Sequence, residues 1–349
     1  MNWSSARFRR SILVLSAALP LGLLLVYSIR RNPQWQDFRW STFWDGFLAV
    51  DKTWVLAGVL AVYATYLVRA LRWKALMKQL KAAPSLWNLF SATVIGFAAI
   101  GVLGRAGEMV RPYLVARKEA LPLSGQLAVW LVERCFDVLT LLVTAALALG
   151  RFDAAGLRNS PALADALHTS GRLIAFATLA LVILMIALRN FAEPIVNRIA
   201  SRLPRRLSGL EHHLRAFEEG TRGLHNLRAL TVCILYSAAE WILIALCYAA
   251  VFNSFSGGLR LTPSQTLIFM GCVMAGSVVN IPGVGGGIQV ASVLVLTELF
   301  GLRPEPAASI SLLIWALTFL AVVPPALLLM LFEGLTWSSL RPPPNGDRP

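Results

Sequence analysis

The sequence predicts an all-α fold: a polytopic transmembrane helix bundle with two glycine-rich re-entrant hairpins in an inverted repeat. Hydrophobic residues make up 57% of the chain and charged residues only 14%, against about 25% charged in ordinary soluble domains. Long apolar runs alternate with basic segments, as in membrane helices and their cytoplasmic loops. One run, residues 261–297, contains no charged side chain over 37 residues.

This uncharged run is too long for one membrane helix. At about 1.5 Å per residue it would measure about 55 Å, whereas the hydrocarbon core is about 30 Å thick. Its middle is the segment 280–287, NIPGVGGG, in which proline removes a donor and glycine permits turn dihedrals. Broken backbone at membrane depth needs protein or a water-filled cavity around it, and such breaks are typical of transporter binding sites.

Eight apolar runs define the candidate membrane segments, and the charges between them decide their orientation. The runs fall at about 11–29, 53–70, 85–104, 125–150, 172–188, 229–252, 265–300 and 307–332. The N-terminal arm, segment 69–81 and segment 189–228 are rich in arginine and lysine, which predicts that they are cytoplasmic. Segments 30–52, 151–171 and 253–264 should then be external.

The N-terminal run resembles a signal peptide, because three arginines precede an apolar stretch. No A-x-A-like cleavage site follows it, so we predict a retained anchor helix within residues 1–30. Residues 31–340 would form the transmembrane domain, and the proline-rich tail 341–349 should be disordered. Both termini would be cytoplasmic.

The predicted sides of the flanking segments require two runs to return to the side of the membrane from which they enter. Segment 69–81 is cytoplasmic and the run 125–150 leaves the cytoplasm, so the run 85–104 must enter and return. Four glycines between 96 and 107 give it places to bend. By the same argument, the run 265–300 is a hairpin that enters from outside.

The two halves, 53–150 and 229–332, then match with opposite polarity and are joined by the Arg-rich cytoplasmic loop 189–228. Inverted repeats with discontinuous helices are a recurrent plan for moving a solute across a bilayer. Two full spans in each hairpin would preserve the same parity, so both topologies stay open.

The segment 104–112, GRAGEMVRP, follows the first hairpin and places Glu108 between Arg105 and Arg111. Arginine forks hold phosphate well, and small neighbouring residues let a lipid head group approach the backbone. The alternative is an interface loop in which glutamate and arginine neutralise one another.

Charged side chains also lie inside two predicted spans. Glu133, Arg134 and Asp137 can meet on one helix face, either to fix the helix in the membrane or to let Arg134 contact a head group or Glu108. Glu240 lies near the middle of another span. A carboxylate at that depth is protonated or paired, and the sequence does not identify its partner.

Polar amides flank the broken centre of the second hairpin. Asn280 precedes Pro282 and Gly283, and Gln289 follows Gly286. These residues would line a lipid path, or the amides would cap the interrupted backbone. We expect no metal, cofactor or catalytic role, because the sequence contains no H-E-x-x-H, P-loop or G-x-S-x-G signature.

At these positions the chain resembles the flippase-like membrane family related to the transmembrane region of lysylphosphatidylglycerol synthase. The resemblance covers about 11–332. Its carriers are G-R-x-G-E at 104–108 with Arg111-Pro112, E-R-x-x-D at 133–137, and the stretch from Pro282-Gly283 to Gln289. The resemblance implies a helical inner-membrane protein that moves phospholipids or lipid-linked products between leaflets.

The chain departs from this family pattern in two ways. The family's second-half motif resembles P-G-G-x-G-x-x-E, but here Val284 replaces the second glycine and Gln289 stands in place of the glutamate. A neutral amide cannot titrate as a carboxylate does. No segment resembles the soluble aminoacyl-transfer domain of the synthase, so we do not expect synthesis of an aminoacyl lipid.

Three functions remain open at this point. The first is a flippase or scramblase-like transporter in which Arg105, Arg111 and Arg134 bind an anionic head group. The second is a membrane accessory or scaffold with a lipid-biosynthesis enzyme as partner. The third, least supported, is an intramembrane lipid-modifying enzyme that uses Glu240 or the E-R-x-x-D acids. The basic residues cluster between apolar segments, which indicates membrane lipids rather than nucleic acid as partners.

Overall fold

The computed structural model describes residues 26, 30, 35–150, 161–202, 208–255, 261–276, 280–281 and 285–335. The predicted anchor helix lies outside the described residues except at two positions, and the predicted disordered tail lies outside them entirely. Among the described residues the architecture is helical, which confirms the predicted all-α class.

The helices follow one another with short interruptions. In chain order they are α1 (Trp40–Leu48), α2 (Lys52–Leu76), α3 (Leu86–Leu103), α4 (Val110–Glu119), α5 (Leu123–Gly150), α6 (Pro161–Ala200), α7 (Ser208–Thr221), α8 (Leu227–Ser254), α9 (Pro263–Gly276), α10 (Gly287–Leu294), α11 (Pro304–Trp315) and α12 (Val323–Phe332). Two π-helical turns, Val295–Leu299 and Ala316–Leu320, follow α10 and α11. Two residue pairs, β1 (Asn280–Ile281) and β2 (Gly285–Gly286), form a minimal antiparallel ladder.

Five helical stretches in the described part of the chain are long and apolar enough to cross a membrane. By length and composition they are Lys52–Leu76, Leu86–Glu119, Gly171–Ala200, Leu227–Ser254 and Pro304–Phe332; Leu86–Glu119 contains the bend between α3 and α4. The protein is therefore a multi-pass integral membrane protein. Helix α5, predicted as a span at 125–150, is not among the five; Glu133, Arg134 and Asp137 interrupt its apolar sequence.

The chain divides into two compact units. Unit 1 comprises Met1–Val62, Ala99–Ala106 and Ile244–Val323, and unit 2 comprises Tyr63–Ala98, Gly107–Leu243 and Pro324–Pro349. Within unit 1, α1 and α10 pack on α11, and α9 packs on α10. Within unit 2, α4, α6 and α7 pack on α5.

Small residues set the closest approach in unit 2. A Cβ atom added at Gly220 of α7 would lie 2.5 Å from the Gly125 carbonyl oxygen and 2.7 Å from the Ala128 Cβ of α5. The predicted loop 189–228 is therefore largely structured: α6 continues to Ala200, and α7 presents its small-residue face to α5. Residues 189–200 lie in α6, so the predicted Arg-rich segment is partly helical, and its cytoplasmic location stays a prediction.

The first hairpin is longer than predicted. Helix α3 runs through Gly96 and Gly101 without a break, and the bend falls at the 3₁₀ turn Gly104–Met109, where Gly104 has φ 63°. Helix α4 returns along α3, so that a Cβ at Gly96 would lie 2.7 Å from the Arg111 Cβ. Gly96 lets α4 approach α3 closely from within an unbroken helix. Gly104 instead supplies the positive φ at the bend, a conformation that favours glycine.

The second hairpin breaks where the sequence predicts it. Helix α9 ends at Gly276, and α10 begins at Gly287 after the β1–β2 ladder. The two helices touch closely, since a Cβ at Gly276 would lie 2.5 Å from both the Ala291 Cβ and the Gly287 carbonyl oxygen. The re-entrant course of both hairpins and the inverted repeat stay predictions.

Candidate functional site

The candidate site begins on α2, in a segment that the sequence assigned to a basic loop. The prediction of a loop starting at Arg69 is wrong, because α2 continues to Leu76 and buries both Arg69 and Arg72. A periodic signal was present: Tyr66, Arg69, Trp73 and Leu76 are buried at spacings of three and four residues, which is one helix face.

Six buried charges meet in unit 2 and form what we call the ion-pair cluster. Its members are Arg69 and Arg72 of α2, Arg111 of α4, Glu133 and Asp137 of α5, and Glu240 of α8. Three arginines face three carboxylates, so the formal charges cancel. Buried charges are tolerated when they are paired and hydrogen-bonded, which explains how four helices can carry them inside an apolar bundle.

Arg72 is the centre of the cluster and has no exposed surface. Its Nη2 donates to Glu133 Oε1 at 2.8 Å and to Asp137 Oδ1 at 2.7 Å. Its Nη1 donates to Ser237 Oγ at 2.9 Å and lies 3.1 Å from Glu240 Oε2. One guanidinium thus joins α2, α5 and α8.

Glu240, whose partner the sequence did not identify, is paired with arginine. Arg69 Nη2 contacts Glu240 Oε1, and the Arg69 guanidinium also lies 3.5 Å from Asp137 Oδ2 and over the Phe97 ring, 4.8 Å from its centroid. Glu240 therefore has two arginine partners, which is the paired arrangement that the sequence left open.

Arg111 is buried, and both of its Nη atoms donate hydrogen bonds within the protein, although its Nε has no hydrogen-bond partner among the described residues. Its Nη1 donates to both Glu133 oxygens, at 3.0 and 2.9 Å, and its Nη2 donates to the Arg69 carbonyl oxygen at 3.2 Å. The guanidinium lies over the Trp73 ring, 4.1 Å from its centroid. Arg111 therefore joins α4 to α2 and α5, and its position does not favour the predicted contact with a head group.

Arg134 lies at the outer edge of the cluster. Its side chain is 32% exposed, and its Nη1 is 3.5 Å from Asp137 Oδ2 while its Nε is 3.8 Å from Glu108 Oε2. Both distances are longer than the 2.7–2.9 Å contacts at the centre, and Arg134 Nε and Asp137 Oδ2 make no hydrogen bond. The predicted approach of Arg134 to Glu108 and Asp137 is present, but it is loose.

Arg105 is the third arginine predicted to bind a head group. It sits on the 3₁₀ turn of the first hairpin, within unit 1, and is exposed. Glu108, on the same turn, belongs to unit 2 and approaches Arg134. Of the three arginines predicted to bind a head group, the structure buries Arg111, leaves Arg105 on the turn, and places only Arg134 at the edge of the cluster.

In the second hairpin, the structure gives Gln289 a backbone role. Its Oε1 accepts a 2.6 Å hydrogen bond from the Gly286 N–H, and its carbonyl oxygen accepts one from Ser311 Oγ at 3.0 Å. This contact is the glutamine half of a capping box at the start of α10. Asn280 pairs with Gly286 through the β1–β2 ladder, and the predicted site residues Pro282 and Gly283 lie outside the described residues.

Comparison with known proteins identifies one relationship. A family model described as the lysylphosphatidylglycerol synthase TM region matches residues 11–326. No curated protein and no solved structure matches the chain. The matched range contains every residue of the ion-pair cluster and both hairpins.

Proposed function

This chain belongs to the family of the lysylphosphatidylglycerol synthase transmembrane region, and from that premise we propose that it is a lipid transporter, flippase-like or scramblase-like. It would move a phospholipid or a lipid-linked product between leaflets. The observation that carries the proposal is the ion-pair cluster: a charge-balanced group of six ionisable side chains inside a membrane protein, with Arg134 at its edge.

The presence of six charged side chains inside a membrane protein requires an explanation. One arginine, lysine or aspartate at the centre of a membrane helix is unfavourable by about 2.5–3.5 kcal/mol on insertion scales. Apolar residues of similar volume would often stabilise a fold as well as a buried ion pair does. A polar surface within the bundle is, however, what a charged head group needs in order to leave the interface.

Arg134 is the member of this region best placed to receive a phosphate. Its two carboxylate contacts are long, and a third of its side chain is exposed. A phosphate oxygen at the usual 2.7–2.9 Å would form a shorter charge-assisted hydrogen bond than either of these carboxylates does. Glu108 and Asp137 would hold the guanidinium in place until a head group replaced them.

The second hairpin is consistent with a re-entrant path. Helix α9 has 14 residues, or about 21 Å. Helix α10 and the π turn after it have 8 and 5 residues, no more than about 20 Å together. Each limb is shorter than the hydrocarbon core of about 30 Å, which favours a hairpin over two full spans.

We assign no enzymatic role. Glu133 and Glu240 are the acids that an intramembrane enzyme would need, yet arginines occupy their oxygens. We place the protein in the cytoplasmic (inner) membrane of a bacterial-type cell with both termini in the cytoplasm, following the basic segments. Anionic phospholipids are the proposed partners, with a lipid-biosynthesis enzyme as a further one.

The test is leaflet exchange of fluorescent phospholipids in proteoliposomes. Wild-type protein should exchange lipid faster than protein-free vesicles. Arg134→Gln keeps a polar side chain but removes the positive charge, and it should reduce the exchange rate about tenfold or more, the loss expected for a charge-assisted hydrogen bond of about 1.5–3 kcal/mol. Arg134→Lys should retain part of the rate.

Arg215→Gln is the matched control, because Arg215 also pairs with a carboxylate, Glu211, but on an exposed face of α7. It should leave exchange unchanged. Equal rates for wild type and Arg134→Gln would refute the head-group role of Arg134. No exchange by folded wild type with either anionic or zwitterionic lipids would instead favour the accessory function, and a stable co-purifying enzyme would establish it.

A further inference from the structure

The short helix α1 is fixed to the protein by one face. Ser309 Oγ of α11 donates to the Phe43 carbonyl oxygen at 2.8 Å, and the Arg39 N–H donates to Glu305 Oε1 at 3.2 Å. Phe43 is buried, and Gly46 lies against Ser309. These contacts hold α1 at the start of α11.

A second face of α1 is apolar and exposed. Trp40, Trp44 and Leu48 are 68%, 48% and 73% exposed, and their spacing of four residues places them in one stripe. The next positions, Ser41 and Asp45, are also exposed but polar. Helix α1 thus has three faces: one on the protein, one apolar and one polar.

Several membrane helices end at the level of α1 within unit 1. Helix α2 begins at Lys52, and the Asp51 N–H donates to the carbonyl oxygen of Ser254, the last residue of α8, at 2.7 Å. Helix α11 begins at Pro304, next to the Glu305 that binds α1. Two candidate spans, α2 and α8, therefore end together at the C-terminal end of α1, and the third begins beside its N-terminal end, which places α1 at a membrane boundary.

The helix that follows α1 in the chain also exposes apolar side chains in its first turns. Trp54, Leu56 and Leu60, in the first turns of α2, are 43%, 58% and 61% exposed and belong to a candidate span. Tryptophan is enriched where the acyl chains meet the head groups, and amphipathic helices lie in that plane with their apolar face about 5–10 Å deep.

We propose that α1 is an interfacial helix that binds the lipid surface at this boundary. Trp40, Trp44 and Leu48 lie among the upper acyl chains, and Ser41 and Asp45 face water. The occupant of the exposed stripe is lipid, because α1 lies where candidate spans end and the stripe contains two tryptophans, the residue enriched where acyl chains meet head groups. This inference does not depend on lipid transport, and by the charge distribution the boundary is the external one.

The test uses the full chain reconstituted in phosphatidylcholine vesicles whose acyl chains carry bromine either near the head group or near the terminal methyl. The fluorescence lost in Trp40→Phe and in Trp44→Phe, relative to wild type, reports on those two indoles. That component should be quenched strongly by shallow bromine and weakly by deep bromine. Trp241→Phe is the control. Trp241 is 9% exposed, and its Nε1 makes no hydrogen bond to the described residues. Because the protein covers this indole, bromine at either depth should quench its fluorescence component little.

Two results would overturn the inference. Quenching of the Trp40 and Trp44 components by aqueous acrylamide, with no response to bromine at either depth, would place α1 in water. No response to either quencher would mean that protein, a second copy or another partner, covers the stripe.

Discussion

Both helical hairpins have a close glycine contact, at Gly96 in the first and at Gly276 in the second, but the first also uses charged side chains. In the first, Lys118 Nζ donates to Ser91 Oγ at 2.7 Å and Asn88 donates to Glu119 Oε1 at 2.7 Å, while Arg111 joins α4 to the ion-pair cluster. In the second, α9 and α10 contain no charged residue. Their contact depends on Gly276 and on the capping hydrogen bond of Gln289.

This difference shows where each hairpin tolerates change. A hairpin fixed by ion pairs has a few positions at which losing one charge leaves others unpaired, and the effect spreads across several helices. A hairpin fixed by small residues and backbone capping fails locally, in proportion to the volume added or the single hydrogen bond lost. Substitutions at Glu133, Gly276 and Gln289 test this contrast.

The largest effect is expected in the ion-pair cluster. Glu133→Gln keeps the side-chain shape but removes the negative charge shared by Arg72 and Arg111. Breaking a buried pair typically lowers the free energy of unfolding by about 3–5 kcal/mol. Unfolding in mixed micelles titrated with denaturing detergent, followed by circular dichroism, measures it.

Glu211→Gln provides the reference, since Glu211 pairs with Arg215 at the same kind of contact but on the exposed side of α7. Its effect should stay below about 0.5 kcal/mol. Similar losses for the two glutamine variants would mean that burial does not govern the cluster, and the contrast between the hairpins would lose its basis.

An intermediate effect is expected at the tight glycine of the second hairpin. Gly276→Ala places a Cβ 2.5 Å from the Ala291 Cβ and from the Gly287 carbonyl oxygen, and overpacking of this kind lowers stability by about 1–3 kcal/mol. Gly271→Ala, on the same helix, meets no atom within 4 Å and should stabilise α9 by about 0.5–1 kcal/mol. Thermal unfolding in the same detergent compares the pair; a stabilised Gly276→Ala variant would contradict the close contact of α9 with α10.

The smallest effect is expected at the cap of α10. Gln289→Ala removes the acceptor of the Gly286 N–H and should lower stability by about 1 kcal/mol. Gln289→Glu supplies a carboxylate in the same place, the residue that the family motif has there, and should keep the capping bond. If Gln289→Ala leaves unfolding unchanged, the amide does not cap the helix and its role must lie elsewhere.

Much of this architecture follows from composition and charge. The apolar runs predict the helices, and the segment at 280–287 predicts the break in the second hairpin, because proline and glycine act locally. The motif containing Glu133 and Asp137 identifies two of the six members of the ion-pair cluster, since carboxylates in an apolar helix require partners.

The remaining features depend on tertiary contacts. Arg69 and Arg72 border a basic segment and so carry the composition of a cytoplasmic loop, although they continue the buried face of α2. Arg111 reads as a head-group ligand until the return of α4 along α3 places it on Glu133. The cap by Gln289 is local by contrast, since Gln289 lies three residues after Gly286, and capping was one of the two roles that the sequence left open.

The ion-pair cluster also imposes an order on biosynthesis. Arg72 is 61 residues from Glu133 in the chain and 165 residues from Ser237, one turn before Glu240. At roughly 5–20 residues per second, about 8–33 s separate the synthesis of Arg72 from that of Ser237. During that interval α2 carries two arginines without their full set of carboxylates, so we expect those side chains to stay at the hydrated interface or beside the insertion machinery until α8 arrives.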